Sequence, residues 1–237
     1  MINGIEILAN TAVEQISRLN SVTHNIANVN TPGFKAERFH FLKTNSEKGV
    51  NEGRPVQGSA VTVDYSRGIM QKTGNVLDLA IDGKGFFAVQ TKTGVAYTKD
   101  GRFTLNKDGE LITQSGDYVL GRGGKIVIKG NDIRISQDGV ISVDGDELDA
   151  LKIVSFSKPA TLVKLNTGLY RNPDNLAGAK EEENTRVQSG YLELSNVKVI
   201  KEMVEMINIQ RTFESYQKAI QTLSEQDKLS TNRIGKL

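Results

Sequence analysis

Apolar residues near the N-terminus recur at helical spacing. Ile5, Leu8, Ala12, Leu19, Val22 and Ile26 fall at intervals of three, four and seven, with Gln15 interrupting the seam and Asn3 placed to cap, Glu6 following three positions on. The pattern stops at Asn28-Val29-Asn30-Thr31-Pro32-Gly33, where Pro32 pushes Thr31 out of helical geometry and Gly33 permits a turn. A first helix of about 25 residues, roughly 40 Å long, is predicted.

A second stripe runs through Val197, Ile200, Val204 and Ile207 and then Phe213, Ile220 and Leu223. Ser195 or Asn196 is placed to cap it, and neither proline nor glycine intervenes before Gly235. The predicted helix covers residues 196–233 and would be nearly 60 Å long. Helices beyond ~25 residues belong to coiled coils, membranes or repeats, and Glu205, Arg211, Glu214, Lys218 and Glu225 exclude the membrane. The four-residue pairs Lys201 to Glu205 and Glu214 to Lys218 add only ~0.3 kcal/mol each, so the stripe requires a packing partner.

Between the helices the pattern shortens to strand-like runs: Leu77–Ile81, Gly85–Val89, Arg102–Leu105, Lys125–Ile128 and Leu151–Phe156. Asp-Gly dipeptides, favoured in hairpin turns, punctuate them at Asp82-Gly83, Asp100-Gly101, Asp108-Gly109, Asp138-Gly139 and Asp144-Gly145. The fold class read from this plan is α+β: long terminal helices packed together in a coiled-coil-like domain (residues 1–35 and 191–237), and a mostly antiparallel β domain over 75–160. Residues 36–74 and 161–190 are expected as extended arms, around the polar, glycine-bearing stretches 44–60 and 171–190 with an acidic run at Glu181–Glu183.

Composition narrows the chemistry. The 237 residues contain no cysteine, no tryptophan and only His24 and His40, which removes disulfides, thiol catalysis and thiolate zinc sites and leaves almost no histidine for a metal centre or triad. A net charge of +2 gives no general reason to expect nucleic acid as partner. No cleavable secretory signal and no run of eighteen apolar residues is visible, so no membrane insertion is expected.

The terminal segments are similar to those of the bacterial flagellar rod and hook family. Asn25-Ile26-Ala27-Asn28-Val29-Asn30-Thr31-Pro32-Gly33-Phe34-Lys35 resembles its N-terminal signature, and Gly190-Tyr191-Leu192-Glu193 through Ser195-Asn196-Val197, Glu202-Met203-Val204, Met206-Ile207 and Gln210–Glu214 its C-terminal one. Leu77–Phe87, Tyr97–Phe103 and Gly109–Thr113 resemble the family's β-domain blocks. The resemblance implies a non-enzymatic structural subunit of the basal-body rod, with no cofactor and no metal. Its terminal helices would form the inner tube and its β domain would lie outside. Its partners would be copies of itself, other axial proteins and the flagellar type III export apparatus, through which it passes unfolded without signal cleavage. The short arm between Phe41 and Asp64 and the ending Tyr216–Thr222 resemble the proximal rod branch; a distal rod or hook-type subunit is the alternative. The expected assembly interface joins Ile5, Leu8, Ala12, Leu19, Val22, Ile26, Asn28 and Pro32 to Val197, Ile200, Val204, Ile207, Arg211, Phe213, Ile220 and Leu223.

Other motifs have plainer readings. Gly83-Lys84-Gly85-Phe86-Phe87-Ala88 partly matches a dinucleotide fingerprint but sits between strands with no helix to meet a phosphate, and Gly121–Lys125 lacks the spacing of a phosphate loop. Asp138, Asp144, Asp146, Glu147 and Asp149 could hold calcium but lack its twelve-residue loop, so solvated turn carboxylates are expected. His24 and His40 are expected in packing or surface roles. A peptidoglycan-acting enzyme is the rival class, yet no acid and base pair stands out.

Overall fold

The computed structural model describes residues 2–43, 57–166, 168–182 and 185–234. Glu183, Gly235 and the middle of the arm expected over 36–74 lie outside the described residues. Among the described residues there are two α-helices, α1 (Ile2–Ala27) and α2 (Val199–Ile234), at the two ends of a region of short antiparallel strands. The α+β class follows directly. The chain divides into two compact units.

The first unit takes Met1–Ala27, Glu37–Val63 and Lys198–Leu237. Its helices pack together, as expected. The face of α1 that is covered reads Leu8, Ala12, Gln15, Leu19, Val22 and Ile26, alternating steps of four and three. Gln15 therefore continues the seam, buried at 7% exposure. Ile5, Asn3 and Glu6 lie on α1, but their side chains are outside the described residues.

On α2 the covered positions are Glu202, Met206, Ile209, Phe213, Tyr216, Ile220 and Leu223, again in steps of four and three. Phe213, Ile220 and Leu223 thus lie where the periodicity placed them. Ile200, Val204 and Ile207 follow a different phase and are exposed, Ile200 at 80%. Arg211 is exposed as well.

Two antiparallel strands complete the unit, Glu37–Lys43 and Gln57–Val63, paired in register from Glu37 opposite Val63 to Lys43 opposite Gln57. They occupy much of the segment expected as an extended arm. Their alternation Phe39, Phe41 and Val61, Val63 has the two-residue period of a ladder.

The second unit comprises Asn28–Ala36 and Asp64–Val197. Its main sheet has nine strands among the described residues, ordered Val163–Asn166, Leu169–Arg171, Gly94–Thr98, Phe86–Thr91, Tyr118–Val119, Leu111–Thr113 and Phe103–Leu105, with Ile153–Phe156 joining Phe86–Thr91 to Ala179–Glu181. A three-stranded sheet, Ile133–Ile135, Val140–Val143 and Asp146–Ala150, lies beside it in the same unit. Leu79, Ile81, Phe87, Val89, Ile141 and Val187 belong to one buried core that both sheets share.

Strands extend past 160 to residue 193, into the second expected arm. Arg186–Ser189 pairs with Leu79–Asp82, and Tyr191–Glu193 with Met70–Lys72. The run Lys125–Ile128, expected as a strand, forms only isolated bridges, although Ile126 and Ile128 are buried. Asp100-Gly101 is not a hairpin turn: a Cβ on Gly101 would lie 1.6 Å from Leu79 O, so glycine is required there for close backbone approach.

Candidate assembly sites

Within the first unit the seam is fastened by a polar network. Asn25, 1% exposed, donates through Nδ2 to Glu37 O at 2.9 Å and Glu202 Oε2 at 3.2 Å, and its Oδ1 accepts from Glu37 N at 2.8 Å. Arg38 donates to Glu202 Oε1 at 3.3 Å, and Arg18 pairs with Glu205. Glu202 is a buried carboxylate whose charge is met from two elements. The pairs Asn25 to Glu202 and Arg18 to Glu205 run in opposite senses along the two helices, which sets α1 and α2 antiparallel. His24 places Nδ1 3.0 Å from Glu37 Oε1, while His40 is exposed.

Beside this seam lies an apolar face with no partner among the described residues. Ile200, Met203, Val204 and Ile207, spaced at three, four and seven, are all exposed on α2, as are Val13 and Ile16 on α1. Leu8, Ala12, Leu19 and Ile26 are half-buried, and Val22 is buried.

The second unit brings the two sequence signatures together. Thr31 N donates to Asn28 O at 3.2 Å, Pro32 is buried, and Gly33, at φ +70°, sends its N–H to Glu193 O at 2.7 Å. Phe34 and Ala36 pack with Val197, which precedes the helix that begins at Val199. Val197 is therefore a core residue of this unit and not part of the α2 stripe.

Asn196 does not cap the helix. Its Oδ1 accepts from Ala36 N at 2.8 Å, and its Nδ2 donates to Asp64 O at 2.8 Å and Ser66 O at 3.1 Å. Lys35 Nζ donates to Glu193 Oε1 at 2.6 Å and Ser66 O at 2.8 Å, and Gly68 N donates to the same Glu193 oxygen at 2.8 Å. Lys99 Nζ lies 3.9 Å from Glu193 Oε2 and donates to Gly83 O at 2.7 Å. Burial pushes the Lys99 ammonium down to about 8, with Glu193 opposing and Lys35 and Arg67 adding to the shift.

Neither periodicity nor motif spacing singled out Asn25, Glu37, Arg38 or Glu202 as one network. A polar residue on an apolar face was the available signal, at Asn25 and at Gln15. The other candidates resolve simply. Gly83–Ala88 leads into the strand Phe86–Thr91, and Gly121–Gly124 is a tight turn with Gly121 N donating to Gly124 O at 2.6 Å. Asp144 accepts from Asn131 N and Asp132 N, and Asp149 from Gly123 N. Among the described residues no group of three or more acidic or histidine side chains is arranged to hold a metal, and no helix is long and apolar enough to cross a membrane.

Antiparallel terminal helices with an uncovered apolar face, and a β unit in which the N- and C-terminal signatures bind one another, define a structural subunit of the axial type. Residues 5–35 match the Flagella basal body rod protein family, residues 80–143 the Flagellar hook protein FlgE/F/G D1 domain, and residues 188–233 the Flagellar basal body rod FlgEFG protein C-terminal region. The chain is 36% identical over 228 residues to the flagellar basal-body rod protein FlgF of Caulobacter vibrioides, covering 92% of each. It is also 36% identical over 239 residues to the FlgG rod protein of Bacillus subtilis, covering 88% of this chain and 90% of the relative. A FlgF protein of Mesorhizobium japonicum is 29% identical over 217 residues, 89% of this chain and 88% of that one. The chain belongs to the flagellar basal-body rod proteins, of the FlgF or FlgG kind. It is a structural subunit of the basal-body rod and not an enzyme.

Proposed function

We propose that this subunit builds the proximal part of the rod by packing its terminal helices against those of neighbouring subunits. The observation that carries the reading is the exposed stripe Ile200, Met203, Val204 and Ile207 on α2, next to a seam that already holds α1. Each large aliphatic side chain fully buried on association contributes about 1.5–3 kcal/mol, so a stripe of this size favours a helical neighbour. A head-to-tail contact that does not close generates an open filament, the geometry of a shaft.

In this reading the terminal helices, within 1–35 and 191–237, form the rod core, and the strands of 75–160 belong to its periphery. The chain reaches the assembly site through the flagellar export apparatus without a cleaved signal, and other axial proteins flank it. The test is incorporation of a tagged Ile207→Asp chain into isolated basal bodies. Incorporation is expected to be lost while the β-sheet circular dichroism and melting of the purified chain persist; normal incorporation contradicts the packing. Electron microscopy of basal bodies carrying the tagged native chain distinguishes a proximal from a distal position.

A further inference from the structure

The second unit contains a cavity of about 490 Å³ that the signature contacts do not fill. Its charged lining consists of Lys35, Arg67, Lys84 and Lys99 against Asp82 and Glu193, an excess of positive charge. Arg67 is matched by Asp82 at 2.7 Å, and Lys35 by Glu193 at 2.6 Å. Lys84 is exposed and has no ion pair among the described residues. Lys99 is buried, donates one direct hydrogen bond, to Gly83 O, and lies 3.9 Å from Glu193 Oε2 and 5.3 Å from the centre of the Phe86 ring.

Glu193 Oε2 is buried with no hydrogen-bond partner among the described residues. Buried acceptors of this kind call for a donor. Lys99 already faces Glu193, so the cavity asks for a carboxylate facing Lys84 and an N–H facing Glu193, against a wall formed by Phe86 and Phe156, whose rings meet edge-on at 5.4 Å. An acidic peptide segment with an apolar neighbour meets all three demands.

One such segment stands exposed on the same chain. The strands Val140–Val143 and Asp146–Ala150 are joined by Asp144 at φ 55° and Gly145 at φ 102°, both left-handed, which makes a tight two-residue turn. The carboxylates of Asp146 and Glu147 have no partner among the described residues. The register shift between Ile141 and Ser142 leaves Leu148 out of the ladder, and it is 46% exposed beside the two acids.

We infer that the cavity receives the strand start Asp146-Glu147-Leu148, just after the Asp144-Gly145 turn, of a second copy, giving the β unit its own head-to-tail contact. The inference rests on the proposed assembly and adds to it a specific joint. Lys84 meets the acids, Leu148 packs on Phe86 and Phe156, and a backbone N–H of the incoming strand reaches Glu193 Oε2.

Because the chain has no cysteine, an engineered pair gives an unambiguous test. Flagellated cells producing one Leu148→Cys chain and one Ser157→Cys chain, Ser157 being in the cavity wall, are treated with a mild oxidant. A mixed disulfide dimer is expected, and likewise with Pro159→Cys in place of Ser157→Cys. Adding Lys84→Glu to the receiving chain should lower the yield about tenfold, and adding Glu147→Lys to the incoming chain should restore it. Absence of the dimer from basal bodies that contain both chains overturns the joint and leaves the helix packing standing. A dimer insensitive to the charge reversal overturns the recognition. A disulfide formed within one doubly substituted chain, and not between chains, overturns the second copy as occupant. Failure of the unsubstituted chain to enter basal bodies refutes the assembly reading itself.

Discussion

Lys35 Nζ and Glu193 Oε1 lie 2.6 Å apart, both side chains are 1% exposed, and 158 positions of sequence separate them. The ion pair is completed by Ser66 O and Gly68 N, so each charge has neutral hydrogen-bond partners as well as the other. Removing Lys35 leaves Glu193 with only Gly68 N and the more distant Lys99 to compensate its charge, and breaking a buried pair costs about 3–5 kcal/mol. Lys35→Met is expected to destabilise the second unit by that amount in urea denaturation followed by β-sheet circular dichroism. A loss under about 1 kcal/mol would contradict the assigned pairing.

Gly33 and Gly74 have nearly the same backbone angle, φ +70° and +81°, but different surroundings. A Cβ at Gly33 would lie 2.3 Å from Asp100 N, a backbone atom that cannot swing away, whereas Gly74 has open space. Left-handed geometry alone costs about 1–2 kcal/mol for an L-residue, and overpacking adds about 1–3 kcal/mol. Gly33→Ala is expected to lose clearly more stability than Gly74→Ala in parallel thermal melts, and equal losses would remove the steric argument.

Lys99 gives the second unit a pH signature. Its folded value of about 8 lies below the unfolded value, with burial as the main cause, Lys35 and Arg67 adding repulsion and Glu193 acting in the opposite sense. Between about pH 8 and pH 10 the unfolded chain holds more protons at this site, so its contribution to stability rises with pH; below pH 8 the burial penalty is present in full. Tyr65, raised to about 12 by burial, works the other way above about pH 10. Comparing melting temperature against pH for the native chain and Lys99→Met should show a rise through pH 8–10 only in the native chain.

Asn25 holds Glu37 N, Glu37 O and Glu202 at once. Asn25→Leu removes three hydrogen bonds, leaving Arg38 as the partner of Glu202, and costs about 1–3 kcal/mol. Hydrogen exchange of α1 amides is expected to accelerate, with the amides of Phe86–Thr91 unchanged. Unchanged α1 protection would show that the seam does not depend on the network.

The helices, the central antiparallel strands and the family were legible because they rest on periodicity, turn dipeptides and long signatures. The phase of α2 was only half legible. Phe213, Ile220 and Leu223 lie on the face that packs within this chain, but near the helix start the covered position is Glu202, recruited by Asn25 and Arg38, while Ile200, Val204 and Ile207 face outward. Hydrophobicity cannot rank a carboxylate as seam when its partners come from other segments. The same limit applies to Lys35 and Glu193, each lying in a recognised signature with nothing local to show that they meet. The strands of 161–193 were hidden by polar composition, because Ala179–Glu181 keeps its side chains exposed and Arg186–Ser189 takes its register from Leu79–Asp82.

That last pairing sets an order of events. Phe86–Thr91 with Gly94–Thr98, Phe103–Leu105 with Leu111–Thr113, and Val140–Val143 with Asp146–Ala150 are neighbours in sequence, so their closure is fast. Leu79 opposite Ser189 and Ile81 opposite Val187 close a loop of more than a hundred residues, and Leu192 opposite Gln71 a longer one. Such contacts come late, since the chain entropy of a long loop must be lost before the ladder forms. A chain emerging from its N-terminus keeps the Leu79–Asp82 edge open and Lys35 without its carboxylate until residues 186–193 arrive, so four-fifths of the sequence must be present before the unit can lock.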